Sequence, residues 1–447
     1  MTGPTVVTCF CKLQVEVSDT THHPTGLAPC VRLVLVLLVV MTMVNGDIVY
    51  EIIEHIAQRD RQTILLNLSL VNHSFLHITR PILFADVKWP HPKKTNEQGL
   101  MFFPQSLWGY LKTFHLNWPA GWPQGDPPLW GSKAGGEYIP AHLHKLETAL
   151  PLMTSLHTFQ ITCPFDPPLS LFKVLRACIS IRDLRITDTP FWDALKEPDP
   201  LALFTAERVT FSPVAEVSRV GEGPIDKKYY EFMYYRAEYR SRYLDLMQKR
   251  SGMGSIPTGW SFLPHCQVEI MTYLQLSGEY CCLDDFTNPH LFFPVLETLI
   301  LTGPCPSVLP DSVMTLPAVI SLMPKLRDLR VLISHTPTEH PLAMVPFGSE
   351  TSLVVYGQLT SLAMSNEVQD IETVLRYANG LERLAISAIK PNPRLPIALR
   401  WEGVSTALDQ IREGGGGKRL KQFRIMCEDD LDVTFIMKLG EVCPVSR

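Results

Sequence analysis

His73 and His77 stand four residues apart, a spacing that lets two imidazoles on one helix face share a zinc ion. In a metalloprotease the residue after the first histidine is the glutamate that serves as general base. Here it is Ser74, so the pair reads as helix-surface histidines. The run Gly414-Gly415-Gly416-Gly417-Lys418 resembles a phosphate-binding loop, but Arg412 occupies the place of the first glycine and Arg419 that of the Mg-binding hydroxyl. It reads as a flexible loop. Glu428, Asp429, Asp430 and Asp432 lack the spacing and the glycine of an EF-hand, and read as a solvated loop or helix start. The 11 cysteines include no Cys-x-x-Cys pair, which removes zinc ribbons and thioredoxin-type redox sites. Cys178 sits in the apolar stretch LFKVLRACISI, a setting for a reduced, buried thiol. Asn67 and Asn72 form glycosylation sequons that matter only in a secreted chain. No constellation for nucleophilic, metal or acid–base catalysis emerges. The expectation is a protein that is not an enzyme and that needs no cofactor.

The elements behind these residues belong to a well-cored chain. Hydrophobic residues make up 46% of the 447, charged residues 19%, and the formal net charge is -5. That composition excludes a disordered chain. It also argues against a partner that is nucleic acid gripped through its phosphates. Leu33 to Val44 is an apolar run of 12 residues, short of the roughly 20 that span a bilayer. Residues 1–43 are therefore read as an N-terminal extension with three explanations open: a true start at Met41 or Met43, a hydrophobic element packed on the next domain, or a signal peptide or anchor. The first is preferred, and a membrane association is not expected.

Between residues 44 and 84 the periodicity predicts three short helices. Asp47 can cap the first, whose apolar stripe is Ile48, Val49, Ile52, Ile53 and Ile56. Asp60 can cap a second running to about Leu66. A third is predicted from about Leu68 to Ile78, with the stripe Leu68, Val71, Phe75 and Ile78, ended by Pro81. A module this small gains stability by burying a face on a partner. The segment Leu68-Ser69-Leu70-Val71-Asn72-His73-Ser74-Phe75, preceded by the Asp47–Ile56 helix, resembles the F-box of fungal F-box proteins. The family's opening Leu-Pro is Val44-Asn45 here, which costs rigidity at the helix entry. The resemblance implies docking on a Skp-family adaptor, and through it a cullin, by Val44, Ile48, Val49, Ile52, Ile56, Leu68, Val71, Asn72 and Phe75.

From residue 85 to 447 a motif Leu-x-x-Leu/Phe-x-aliphatic recurs at Leu111, Leu156, Ile181, Leu296, Leu326, Leu359, Leu381 and Leu420, with starts 22 to 45 residues apart except for one long gap. Its last positions alternate as in a strand with one buried face. Helix-like runs such as Leu171-Val174-Leu175-Cys178 and Ile371-Val374-Leu375-Ala378 precede several copies. A strand plus a helix at this period resembles a leucine-rich repeat. The fold class expected is α/β: a three-helix F-box followed by an irregular leucine-rich-repeat-like solenoid. The usual Asn or Cys after each strand is irregular here, with Cys163, Cys305, Ser334 and Ile389 near that place. The gap near 212–290 reads as an insertion, in which Tyr235, Tyr239 and Tyr243 share one face of a helix with charged residues on the other.

Together these features imply a substrate-recognition subunit of a Skp-cullin-F-box ubiquitin ligase in the cytoplasm or nucleus, holding an unknown target protein on its repeats. A secreted or membrane-anchored leucine-rich-repeat binding protein is the alternative, and an F-box protein acting without a cullin is a third reading.

Overall fold

The computed structural model describes residues 53, 58–71, 73–89, 105–117, 146–162, 169–187, 203–212, 263–277, 283, 286, 291–304, 315–334, 350–365, 371–387, 401–415, 419–425 and 433–442. The chain divides into two compact units, Met1–Leu83 and Phe84–Arg447.

In the first unit α1 spans Gln58–Ser69 and α2 spans His73–Leu83. Ile64, Leu65 and Leu68 recur at i, i+1 and i+4 along α1, so one stripe is buried with Ile53 and Phe75, and Val71, Ile78, Ile82 and Leu83 pack against it. The chain turns at Leu70 and Val71, whose amides donate to the carbonyls of Asn67 and Leu68 at 3.2 and 3.1 Å. Two predicted boundaries are corrected. Leu68 ends its stripe on α1 rather than opening the next helix, because the helical spacing that starts at Ile64 and Leu65 continues through Leu68. Pro81 does not end α2: the helix runs two residues further, to Leu83, since Ile82 and Leu83 gain burial that offsets the missing proline N–H in the last turn. The buried Thr79 hydroxyl is satisfied by the Phe75 carbonyl at 2.8 Å.

The second unit is α/β and contains one sheet of 11 parallel strands in strict chain order. The strands are β1 Asp86–Trp89, β2 Thr113–Asn117, β3 Thr158–Thr162, β4 Asp183–Thr187, β5 Arg208–Ser212, β6 Tyr273–Ser277, β7 Thr298–Pro304, β8 Asp328–Ser334, β9 Ser361–Ser365, β10 Arg383–Ser387 and β11 Gln422–Ile425. Parallel neighbours need long crossovers, and helices fill several of them: α3 Leu169–Ala177, α4 Leu316–Ser321, α5 Ile371–Tyr377 and α6 Trp401–Glu413. The last helix, α7, spans Val433–Val442.

Register follows from the motif. Phe114, Phe159, Leu184, Val209 and Leu274 stand in one row across adjacent strands, followed by Leu299, Leu329, Leu362, Leu384 and Phe423. The leading motif residue, three positions earlier, is buried in every one of these turns. Each Val, Leu, Ile, Met or Phe among them contributes about 1.5–3 kcal/mol when fully buried. A second spine is made of backbone: the carbonyl just before one strand accepts two amides from the next turn. Lys112 accepts from His157 and Thr158 (2.9 and 3.0 Å), and Glu297 from Arg327 and Asp328 (2.9 and 3.0 Å).

The predicted insertion is narrower than 212–290. β6 and the 3-10 turns Leu263–His265 and Val268–Ile270 lie inside that gap and belong to the regular pattern. The motif passes unnoticed there because Ala206 and Met271 take the leading leucine's place before Val209-x-Phe211 and Leu274-x-Leu276. Tyr235, Tyr239 and Tyr243 lie outside the described residues, as do Cys163, Cys305 and Ile389. Instead of a recurring Asn or Cys, hydroxyls directly after the last aliphatic position satisfy the preceding turn. Thr187 donates to the Ile161 carbonyl at 3.4 Å, Thr302 to Leu276 at 3.3 Å and Ser365 to Ile333 at 2.6 Å.

Candidate functional site

Two surfaces carry residues that packing alone does not employ. On the helical unit, Leu68 and Phe75 are buried in the unit's own core and Val71 is half-buried against it. They build the module rather than its outer surface. Val44, Ile48, Val49, Ile52, Ile56 and Asn72 lie outside the described residues. Among the described residues of this unit the exposed large apolar side chains are Leu66, at 49% of its full surface, and Leu70, at 85%. Leu70 falls inside the Leu68–Phe75 signature and Leu66 two residues before it, and both project between the core positions. His73 and His77 are exposed on α2.

On the sheet, the first and third residues of each strand point away from the core. β4 and β8 share the sequence Asp-Leu-Arg at these positions. Arg185 donates to Asp183 through Nε (3.0 Å) and Nη2 (2.6 Å), and Arg330 to Asp328 through Nε (3.3 Å) and Nη2 (2.8 Å). Such two-point pairs hold both guanidiniums in fixed orientation. Between them, the Arg208 guanidinium lies 4.1 Å from the centroid of the Tyr273 ring, and the Tyr273 hydroxyl donates to Gln275 Oε1 at 3.0 Å. Burial holds the Tyr273 phenol above its ordinary value of 10.0, outweighing the charges of Arg208, Arg330 and Arg185, which pull it down.

At the N-terminal end of the same face, His115 Nε2 lies 3.1 Å from Asp86 Oδ1. Burial holds the His115 imidazole below its ordinary value of 6.5, outweighing Asp86 and a hydrogen bond with Gln160, and Lys88 and Arg185 push the same way as burial. The depressed folded value means the unfolded chain binds this proton more readily. The contribution to stability is therefore present above pH 6.5 and is lost as pH falls below it. Asp86→Asn removes the main opposing charge, and an NMR titration should show the His115 ring titrating lower still. A rise, or no change, would mean that the carboxylate does not act on the ring.

Inside the sheet unit, Arg176 on α3 donates Nη2 to His265 Nδ1 at 2.8 Å, and its guanidinium sits 5.3 Å from the Phe204 ring. Arginine has no acceptor, so Nδ1 accepts and the proton of the neutral ring resides on Nε2. The contact ties α3 to a segment 89 residues away. Cys178 and Cys266 are buried thiols outside any disulfide, and burial raises both, that of Cys178 to about 11, which suits inert core sulfurs.

Among the described residues no group of three or more His, Cys, Asp or Glu is placed to hold a metal ion, and no helix is long and apolar enough to cross a membrane. No protein-family model matches the chain, and no curated protein matches it.

Proposed function

We propose that this chain is the substrate-recognition subunit of a Skp-cullin-F-box ubiquitin ligase, acting in the cytoplasm or nucleus. The segment 44–84 would be an F-box that docks on a Skp-type adaptor, and residues 85–447 a leucine-rich-repeat-like solenoid that holds the target protein. The observation that carries the reading is the Leu68–Phe75 signature, in which Leu68 and Phe75 are buried while Leu70, and Leu66 two residues before the signature, stay exposed. An apolar pair left in solvent on so small a module is suited to burial on another protein. The sheet in strict chain order supports the solenoid, because each turn meets only the turns before and after it. No covalent chemistry falls to this chain. Its contribution is proximity, raising the target's effective concentration at the ubiquitin-loaded enzyme.

The test is co-purification of the chain from Met41 onward with a Skp-family adaptor on size-exclusion chromatography. A one-to-one complex is expected. Leu66→Asp with Leu70→Asp should weaken it at least about thirtyfold, as loss of a single anchor worth about 2 kcal/mol would. These exposed positions leave the core intact, whereas substitution at Phe75 would unfold the unit and say nothing of docking. A folded, soluble chain that elutes alone would end the proposal.

A further inference from the structure

The third-position row across β4 to β8 reads Arg185, Thr210, Gln275, Ile300 and Arg330. Its ends are the two aspartate-clamped arginines. Its floor is closed: Thr210, Gln275 and Ile300 are buried although they point away from the core. Gln275 is 1% exposed, and its Nε2 has no hydrogen-bond partner. A buried donor left unpaired costs about 1–3 kcal/mol, so an acceptor arriving there recovers what the free protein lacks. Tyr273 explains the orientation: its hydroxyl occupies the amide oxygen and turns the N–H₂ group away. The same ring carries Arg208 on its face. Among the described residues Arg208 has no carboxylate partner, while Arg185 and Arg330 each have one. The charged residues of β4 to β8 are three arginines (Arg185, Arg208, Arg330) and two aspartates (Asp183, Asp328), which leaves one positive charge, three minus two.

We infer that the outward face of β4 to β8 recognises a carboxylate of an acidic protein segment, gripped by Arg208 and the Gln275 amide. One guanidinium without a carboxylate partner and, diagonally across the β5–β6 ladder, one spare N–H donor match a monoanion with two oxygens. They match a phosphate dianion less well. The face spans four strand spacings, about 19 Å, the length of a six-residue extended segment. Arg185 and Arg330 stand at its ends, with side chains 44% and 20% exposed and each held by its aspartate. The inference rests on reading this sheet as the surface that holds a target.

The probe is fluorescein-labelled hexaglutamate, titrated with the full chain by anisotropy. Saturable binding is expected, with hexaglutamine inert. Arg208→Gln should weaken binding tenfold or more. Gln275→Leu should weaken it severalfold without lowering the midpoint of thermal unfolding, because it deletes an unpaired buried donor; a merely structural glutamine would lower the midpoint instead. Lys88→Gln, on β1, should leave binding unchanged. Absence of binding, equal binding by Arg208→Gln, or stronger competition by inorganic phosphate or oligothymidylate than by glutamate peptide would overturn the assignment. The adaptor complex reports separately: a chain that elutes with the adaptor but ignores hexaglutamate refutes this inference alone. A chain that binds the peptide and never the adaptor refutes the ligase reading alone.

Discussion

Phe159→Ala is expected to lower the stability of the sheet unit by about 3–5 kcal/mol, the range for emptying a fully buried aromatic site. Phe159 has no exposed surface and stacks on Phe114 at a centroid separation of 5.9 Å with the planes 21° apart. Its strand is paired on both sides, through Phe114 and Leu184 in register, so the backbone cannot move in to fill the void. Phe423 supplies the comparison. It occupies the same row on β11, which among the described residues pairs only with β10, and it is half-buried. Phe423→Ala should cost clearly less. Urea unfolding followed by far-UV circular dichroism measures both. Hydrogen exchange should show the Phe159→Ala loss concentrated in β2 to β4, since those strands share no ladder with β8 to β11. Equal costs for the two variants would mean that burial and two-sided pairing do not set the scale.

The rows of the sheet were legible because a parallel ladder repeats one pattern, and the pattern marks its buried positions with leucine, isoleucine and phenylalanine. It failed where the leading side chain became Ala206 or Met271, since neither residue type announces a strand. β1 was missed for a different reason: Val87 is the only small aliphatic residue in a four-residue strand. Helix ends were less legible than helix faces. Pro81 is a stop signal by local chemistry, yet two apolar residues beyond it have core to cover. The Asp183–Arg185 and Asp328–Arg330 pairs sit two residues apart and could have been read from the recurring Asp-Leu-Arg. Arg208 on Tyr273 could not, because 65 residues separate them and only the register brings β5 beside β6. On the helical unit the F-box pattern singles out Leu68 and Phe75, which fold the module. The exposed Leu66 and Leu70 became visible only once the packing partners of the stripe were known.

Two of the glycines read as a flexible loop have distinct tasks, and these separate by substitution. Gly414 follows α6 directly, its amide donating to the Gln410 carbonyl at 2.9 Å. A Cβ there would come within 2.3 Å of the Arg376 carbonyl oxygen and 3.1 Å of its carbon. The obstacle is the backbone at the end of α5, so no rotamer change relieves it. α6 would have to move off α5, which strains the Arg376–Gln410 side-chain hydrogen bond of 2.9 Å and the core around Leu408 and Ile411. Gly414→Ala should therefore cost about 2–3 kcal/mol, the upper end for overpacking. Gly415 has φ +72° with open space around its Cβ position. Alanine there meets only the left-handed backbone penalty, about 1–2 kcal/mol, and asparagine should cost less than alanine. Chemical denaturation of the three variants gives the order Gly414→Ala, Gly415→Ala, Gly415→Asn from most to least destabilised. Reversal of the first two would show that α6 yields at Arg376 with little resistance, and that backbone conformation, not the close approach of two turns, is what requires glycine at the end of this helix.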